Sequence, residues 1–401
     1  MKKTRIIFRW TGNNAYTVSY LMALLTETLD PENFTIGTAE TLSEIYATDS
    51  GDPYSTIVAY TLVTPQAEWA KNEILSLKKD LGQNITVICG GPHPTALPED
   101  LLDAGADHVF TGEAEESLPR FLRLFHNSPG TVKDRIIAPL PLEHFDAYPP
   151  FAYKLDFFAP VEIRRGCANR CAFCQTPGIF PEIRERSVGY VRDTAIKILE
   201  HGRDSIFFLI TDALSYGSDA LNPVDPRAIE KLLSELSGTG IKIHFGNFPS
   251  EVSPSSLARY PETALIMKKY TENTKILVGG QSASDRVLGI MGRAHNADDI
   301  TTSAKILRET GFTPIIDILL GVPGEEKKDR ELTMSVMESL VLKYRIRVNM
   351  HYFMPLPGTP LYGSRPEPVE DSVKNRIALL VKNGHARGDF FKQLELNDYT
   401  R

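Results

Sequence analysis

Apolar residues in the first third of the chain gather into short continuous runs, and the stretches between them carry apolar residues at helical spacing. The pattern predicts a strand over residues 5–10, a helix over 16–30 and a β-rich strand over 55–63, STIVAYTLV. A helix over 66–81 follows, amphipathic through Ala70, Ile74, Leu75 and Leu77. Then come a buried strand at 85–89, a helix at 98–104, a strand at 107–110 and a helix at 115–125. Strands that are apolar throughout belong in a parallel sheet covered on both faces, so this third is an α/β layer structure. Ligands of such open sheets sit beyond the carboxyl ends of the strands. Three lips qualify: Thr61, Leu62, Val63, Thr64 and Gln66; Gly90, Gly91, Pro92 and His93; and Gly112 with Glu113. Their glycines let backbone approach a ligand closely.

Residues 127–158 are a connector rich in proline and aromatics, among them Phe145, Tyr148, Phe151, Tyr153, Phe157 and Phe158. Prolines hold it extended and the aromatics are too apolar to leave in water, so a strap across a domain interface is expected. From residue 160 the alternation resumes in longer units. Strands are expected at 161–165, 205–210, 242–246, 276–280, 314–320 and 349–354, with helices at 187–201, 228–237, 297–310 and 330–343. Six such units make a partial (β/α)6 barrel, whose active site lies at the carboxyl ends of its strands. Those ends carry Thr211 and Asp212, Ser250 and Glu251, Gln281 and Ser282, and Gly321 and Val322. The remainder is a short polar C-terminal extension with a helix at 371–382. The expected divisions are 1–126, 127–158, 159–357 and 358–401.

Composition changes little in this picture. A net charge of −7, with 24% charged and 42% hydrophobic residues, is that of an ordinary soluble protein and favours neither nucleic acid nor a membrane surface. No run approaches the roughly 18 apolar residues of a membrane span, and the basic start is followed by a strand-length apolar run, unlike a signal peptide. Four cysteines, three of them clustered, form no disulfide framework; they point to a reducing cytoplasm and, for an exposed metal cluster, to low oxygen.

The clustered cysteines are Cys167, Cys171 and Cys174, spaced C-x3-C-x2-C directly after the 161–165 strand. Three thiolates on one loop can hold three irons of a 4Fe–4S cube and leave the fourth iron open. A zinc knuckle would want a fourth cysteine or a nearby histidine, and none lies between His144 and His201; buried free thiols are the other alternative. The spacing, with Phe173 before the last cysteine, resembles the radical S-adenosylmethionine (SAM) superfamily, in which SAM occupies the open iron. By that resemblance Gln281 and Ser282 meet the SAM ribose and carboxylate, Arg293 pairs with the carboxylate, and Gly321 and Val322 lie along the adenine. Ser250 and Glu251 reach the ribose or methionine. A capping Ser250, a solvated Glu251 and a salt-bridged Arg293 are the plain alternatives. The second strand departs from the family's Gly-Gly-Glu ending, so Thr211 and Asp212 stand where the SAM amino group is received.

The first third, through GGPHPTALPEDLL and GADHVFTGEAEESLPRFL, resembles the Rossmann-like cobalamin-binding domain of one class of these enzymes; the alternative is a Rossmann-like domain that holds nothing. D-x-H-x-x-G is absent, so cobalamin would lack a histidine ligand from that motif, and His93 is better placed for its periphery or for solvent than for cobalt. The resemblance implies a cytoplasmic, class B, cobalamin-dependent radical SAM C-methyltransferase acting on an unactivated sp3 carbon. Cob(I)alamin takes a methyl group from one SAM; a second SAM yields a 5′-deoxyadenosyl radical that removes a substrate hydrogen, and the carbon radical takes methyl from methylcobalamin. An external low-potential electron donor and a protein or peptide substrate are the expected partners, making the product a post-translational modification. The narrower expectation is the methanogen glutamine Cα-methyltransferase of the methyl-coenzyme M reductase α subunit. The rivals are cyclisation or rearrangement, action on a lipid or small metabolite, and an iron–sulfur protein without SAM chemistry. Cys89 alone cannot supply the three extra cysteines of a methylthiotransferase.

Overall fold

The computed structural model describes residues 3–48, 56–128, 130–142, 144–219 and 223–399, so Ser55, the expected start of a strand, lies outside the described residues. The chain divides into two compact units, residues 1–159 with 178–180, and residues 160–177 with 181–401.

The first unit is a six-stranded parallel sheet: β1 Thr4–Arg9, β2 Phe34–Ala39, β3 Thr56–Thr61, β4 Thr86–Gly90, β5 His108–Phe110 and β6 Ile136–Ile137, ordered β2-β1-β3-β4-β5-β6. Side chains alternate faces along a strand. Ile6, Phe8, Ile57 and Ala59 therefore enter one core, with Val18, Leu25 and Phe121 of the covering helices. Ile7, Val58 and Tyr60 enter the other, with Ala70, Ile74 and Leu77. Burial on both faces is why these strands read as continuous apolar runs. The edge strand β2 is half exposed and lacks such a run, and the sequence pattern misses it.

The aromatic connector is folded into this first unit. Ser19, on helix Ala15–Thr28, donates from its hydroxyl to the Phe157 carbonyl at 2.6 Å and accepts from the Ala152 amide at 3.2 Å. Phe145 and Tyr148 are buried against Leu24, and the Tyr148 hydroxyl donates to Glu116 at 2.7 Å.

The second unit begins with β7 Val161–Glu162, β8 Arg164–Arg165 and β9 Arg184–Glu185; the expected 161–165 strand is broken in two because β8 turns away to pair antiparallel with β9. β10 Ser205–Leu209 and β11 Lys242–His244 join β7 in a three-stranded parallel sheet. β12 Lys275–Gln281, β13 Thr313–Leu320, β14 Arg347–Tyr352 and β15 Ala386–Arg387 form a second parallel sheet. A parallel bridge pairs Val252, in the segment after β11, with Val278 of β12. The six expected barrel strands are present, and β15 extends them. Helix Phe390–Tyr399 is tied to β14 by the Tyr352 amide, which donates to Gln393 Oε1 at 2.8 Å. The C-terminal extension is thus part of the barrel wall. Among the described residues no helix is long and apolar enough to cross a membrane.

Candidate functional site

The cysteine loop is held from several sides. Gly166, entering it, has φ +84°, and a Cβ there would lie 2.7 Å from the Glu182 carbonyl, so glycine is required. The Ala172 amide donates to Met291 O at 2.9 Å, Leu361 N donates to Ala172 O at 3.1 Å, and Gln175 Nε2 donates to Pro357 O at 2.9 Å. Phe173 packs on an apolar ledge of Val287, Leu288, Met291, Leu319, Val322 and Phe353. All three thiols are free; Cys171 is buried, and Cys167 and Cys174 are half-buried. Burial pushes the Cys167 thiol up, against the Asn169 amide and the Thr211 hydroxyl that bond to it.

Among the described residues no three His, Cys, Asp or Glu side chains gather closely enough for a single metal ion. Thiolates around one zinc lie about 4 Å apart, whereas a cube interposes its own sulfides and holds its cysteines wider. Three free thiols on one braced loop are the donor set that a 4Fe–4S cube with one open iron takes.

The other strand ends divide into groups engaged in the wall and groups left open. Ser250 donates to the Phe208 carbonyl at 2.6 Å. Ser282, fully buried, accepts from the Ser284 amide at 3.1 Å and contacts the Thr333 hydroxyl at 3.2 Å. Asp212 Oδ1 accepts from the Leu214 and Ser253 amides at 3.1 Å each, and Oδ2 accepts from Ser256 at 3.2 Å. Burial still raises its carboxyl above the usual range. Thr211 donates to Gly166 O at 3.3 Å. The polar atoms of Ser250, Ser282 and Asp212 are thus engaged within the wall, Ser250 by donating to a strand carbonyl rather than by capping a helix.

Glu251, Gln281 and Asp317 differ. Glu251 lies against Gly279, where a Cβ would come within 2.7 Å of its carboxylate. Burial pushes it up to about 7, opposed by Arg293 and reinforced by Asp317 and Asp212. Asp317, on β13, has a buried, unpartnered Oδ1, and burial raises its carboxyl too. The sequence pattern hides Asp317 inside an apolar strand; the lone charge in IIDILL is the signal that would have found it. Gln281 follows a bulge in β12 with φ +66°, a strained backbone that aims its side chain differently from the regular strand. Gly321 (φ +79°) gives its amide to Glu325 Oε2 at 2.6 Å and leaves no room for a Cβ against the Tyr352 ring, while Val322 is buried in the ledge beneath Phe173.

In the first unit the three lips are joined to one another. Leu62 N donates to Gly90 O at 2.9 Å, His93 N to Leu62 O at 3.2 Å, and Gly112 N to Thr95 Oγ1 at 3.0 Å. Gly91 has φ +103°, and a Cβ there would sit 2.8 Å from Leu62 O. Leu62 is buried in the core, whereas Val63 is exposed; Gln66 Oε1 accepts from Val63 N at 3.2 Å. Thr61, Glu113 and His93 are buried. His93 Nε2 meets Asp100 Oδ2 at 3.0 Å and Nδ1 meets Thr64 Oγ1 at 3.4 Å, so both ring nitrogens are engaged inside the lip. That leaves none for cobalt.

A further lip follows β1, where the strand order reverses between β1 and β3, the switch point at which doubly wound sheets bind ligands. Arg9, Trp10, Thr11, Gly12, Gln66 and Trp69 line an open cleft of about 590 Å³ there. Gln66 Nε2 bridges to Thr11 Oγ1 at 3.2 Å. Strand order is a long-range property, so residues 10–12 carried no local signal. The cleft lies beyond the carboxyl end of β1, where the ligand of such a sheet would sit.

Comparison with known proteins bears on both units. Residues 161–337 match the radical SAM superfamily, and residues 52–122 match the B12 binding domain. The chain is 26% identical to an uncharacterized protein of Methanopyrus kandleri, over 72% of this chain and 65% of that protein. It is 29% identical to a tRNA-2-methylthio-N(6)-dimethylallyladenosine synthase of Chlorobium phaeovibrioides, over 54% of this chain and 46% of that enzyme. It thus spans about half to two thirds of the length of these relatives. Among solved structures, the radical SAM methyltransferase TsrM from Kitasatospora setae, with cobalamin and a [4Fe-4S] cluster bound, superposes with a TM-score of 0.66 at 14% identity, covering 90% of this chain and 74% of that one. The cobalamin-dependent radical SAM enzyme OxsB, with aqua-cobalamin bound, gives 0.66 at 12% identity, covering 96% of this chain and 56% of that one. These likenesses establish the fold. The chain therefore joins a B12 binding domain, which implies cobalamin, to a radical SAM domain, which implies a 4Fe–4S cluster and SAM.

Proposed function

We propose that this protein is a cobalamin-dependent radical SAM methyltransferase that methylates an unactivated sp3 carbon. The observation that carries the reading is one chain holding both a braced three-cysteine loop at the mouth of a barrel and a parallel sheet with a cleft at its switch point. When bound, the three cofactors supply a carbon-centred radical and a transferable methyl group. The protein's own contribution lies in its strand ends. Cys167, Cys171 and Cys174 hold the cluster, and Phe173 fixes the loop to the ledge. Gln281 and Glu251 remain as the polar groups facing SAM. Gly91, Gly112 and the residues 9–12 lip form the backbone bed for cobalamin.

Methylthiotransferases are among the similar proteins, at 25–29% identity over about half of this chain. Against that activity stands the cysteine count: beyond the loop there is only Cys89, buried in β4, whose thiol burial pushes far up. A protein or peptide substrate, an external low-potential electron donor and a cytoplasmic, anaerobic setting complete the proposal. Its narrowest form is the glutamine Cα of the methyl-coenzyme M reductase α subunit; the M. kandleri relative supports it only by source. In the aromatic connector Phe145, Tyr148 and Phe151 are buried within the first unit and so are not available to line a substrate groove.

Anaerobic turnover with methyl-labelled SAM tests the reading. Labelled product together with S-adenosylhomocysteine and 5′-deoxyadenosine is expected. 5′-Deoxyadenosine without label transfer would favour cyclisation or rearrangement; neither product would leave an iron–sulfur protein without SAM chemistry.

A further inference from the structure

Arg293 stands out among the charged groups of the second unit by what its guanidinium touches. Its Nη1 lies 3.4 Å from Cys171 Sγ, and its Nη2 donates to the Gly279 carbonyl at 2.6 Å. Its Nε is buried without a partner. The side chain follows helix Asp285–Ile290, and the Gly292 turn (φ +65°) delivers it to the loop. Met291, on the same turn, accepts the Ala172 amide, so Arg293 and the cysteine loop are held in one register. Both terminal nitrogens therefore have partners before any SAM carboxylate arrives. Two carboxyl groups, Glu251 and Asp212, act on the same cation without bonding to it directly.

We propose that Arg293 is a positioning residue of the iron–sulfur cluster, donating a charge-assisted hydrogen bond to the Cys171 thiolate and thereby stabilising the reduced cluster. The inference rests on the radical SAM reading of the second unit and goes beyond it. A thiolate bound to iron carries more negative charge after the cluster accepts an electron. A cationic donor at that sulfur favours the reduced state and raises the reduction potential. The electron comes from the external low-potential donor, the cluster gains one electron, and no bond to the protein is made or broken. The Gly279 carbonyl fixes the guanidinium at the sulfur. Lysine in its place keeps a charge but cannot bond the sulfur and the carbonyl with one planar fork.

The test uses the whole chain with its cluster assembled anaerobically and no SAM present. Redox titration followed by electron paramagnetic resonance should place Arg293→Gln below wild type, with the reduced-to-oxidised ratio at a fixed poise falling about tenfold, equivalent to about 59 mV for one electron. Arg293→Lys should fall between the two. Iron and sulfide content per chain should be unchanged. In wild-type protein grown with 15N-guanidinium arginine, pulsed resonance of the reduced cluster should show a weak 15N coupling. That second measurement does not depend on any variant folding. Unshifted potentials in both variants, or no 15N coupling in wild type, would overturn the proposal. So would a loss of SAM affinity in Arg293→Gln at unchanged potential, which would return the residue to the SAM carboxylate. Failure of wild type to assemble any cluster would instead sink the radical SAM reading itself.

Discussion

The carboxyl ends of the strands in the two units solve different problems. In the first unit they are knitted together: Leu62 to Gly90, His93 to Leu62, and Gly112 to Thr95. His93, the residue best suited to bind a metal, is taken up by Asp100 and Thr64. What remains is shape and backbone around a cleft. In the second unit, by contrast, Asp317 Oδ1, Arg293 Nε and Glu325 Oε1 are buried without a hydrogen-bond partner among the described residues. Unpaired buried polar atoms cost roughly 1–3 kcal/mol each, and a fold keeps them where chemistry needs them. The first unit is built to hold a large cofactor, the second to act on a charged one.

The contrast can be broken most sharply at the cysteine loop. Cys171→Ala should abolish the cluster absorbance and lower reductive SAM cleavage by more than about 100-fold, while the corrinoid spectrum of the first unit stays. Gly91→Val is the matching lesion in the other unit. Its positive φ and the Leu62 backbone predict a loss of about 3 kcal/mol in denaturant unfolding and weaker corrinoid binding, with cluster content retained.

A pH experiment sharpens the charge half of the comparison. Burial pushes Glu325 up to about 7 from an ordinary 4.5, despite the Gly321 amide and Arg330 beside it. Between those values the folded state holds a proton that the unfolded chain has released. Its contribution is therefore full below about pH 4.5 and is lost as pH rises through 7. Glu325→Gln should flatten that fall, by on the order of 3 kcal/mol across the window, as read from unfolding midpoints at a series of pH values. The smallest effect is expected at His93. His93→Gln should cost about 1 kcal/mol through the lost Asp100 contact and leave the corrinoid absorbance unchanged, since the ring is not offered to cobalt.

Particular elements show how far the sequence was legible. The strands of the first unit were readable because both faces are buried, which leaves runs such as TIVAYT. Strand β2 was not, because an edge strand with one covered face has neither a run nor a clean alternation. Strand β15, two residues long, exists only because β14 offers it a partner. At the site, the spacing of Cys167, Cys171 and Cys174 needed no tertiary information. Gln281 and Glu251 were named as candidates from their places at strand ends; Asp317, inside β13, was not.

The sequence by itself determined what local chemistry can encode: parallel strands as apolar runs, three thiols within eight residues, and glycines where the backbone takes positive φ. The tertiary structure decided which polar groups remain available. Ser282, Ser250, Asp212 and Arg293 look alike as candidates in one dimension. In three, Ser282 meets Thr333, Ser250 meets the Phe208 carbonyl, Asp212 caps the segment after the third strand, and Arg293 turns to a cysteine sulfur. Each of those partners lies more than 40 residues away in the chain, and a hydrogen bond is satisfied by whatever stands within about 3 Å, not by what is near in sequence.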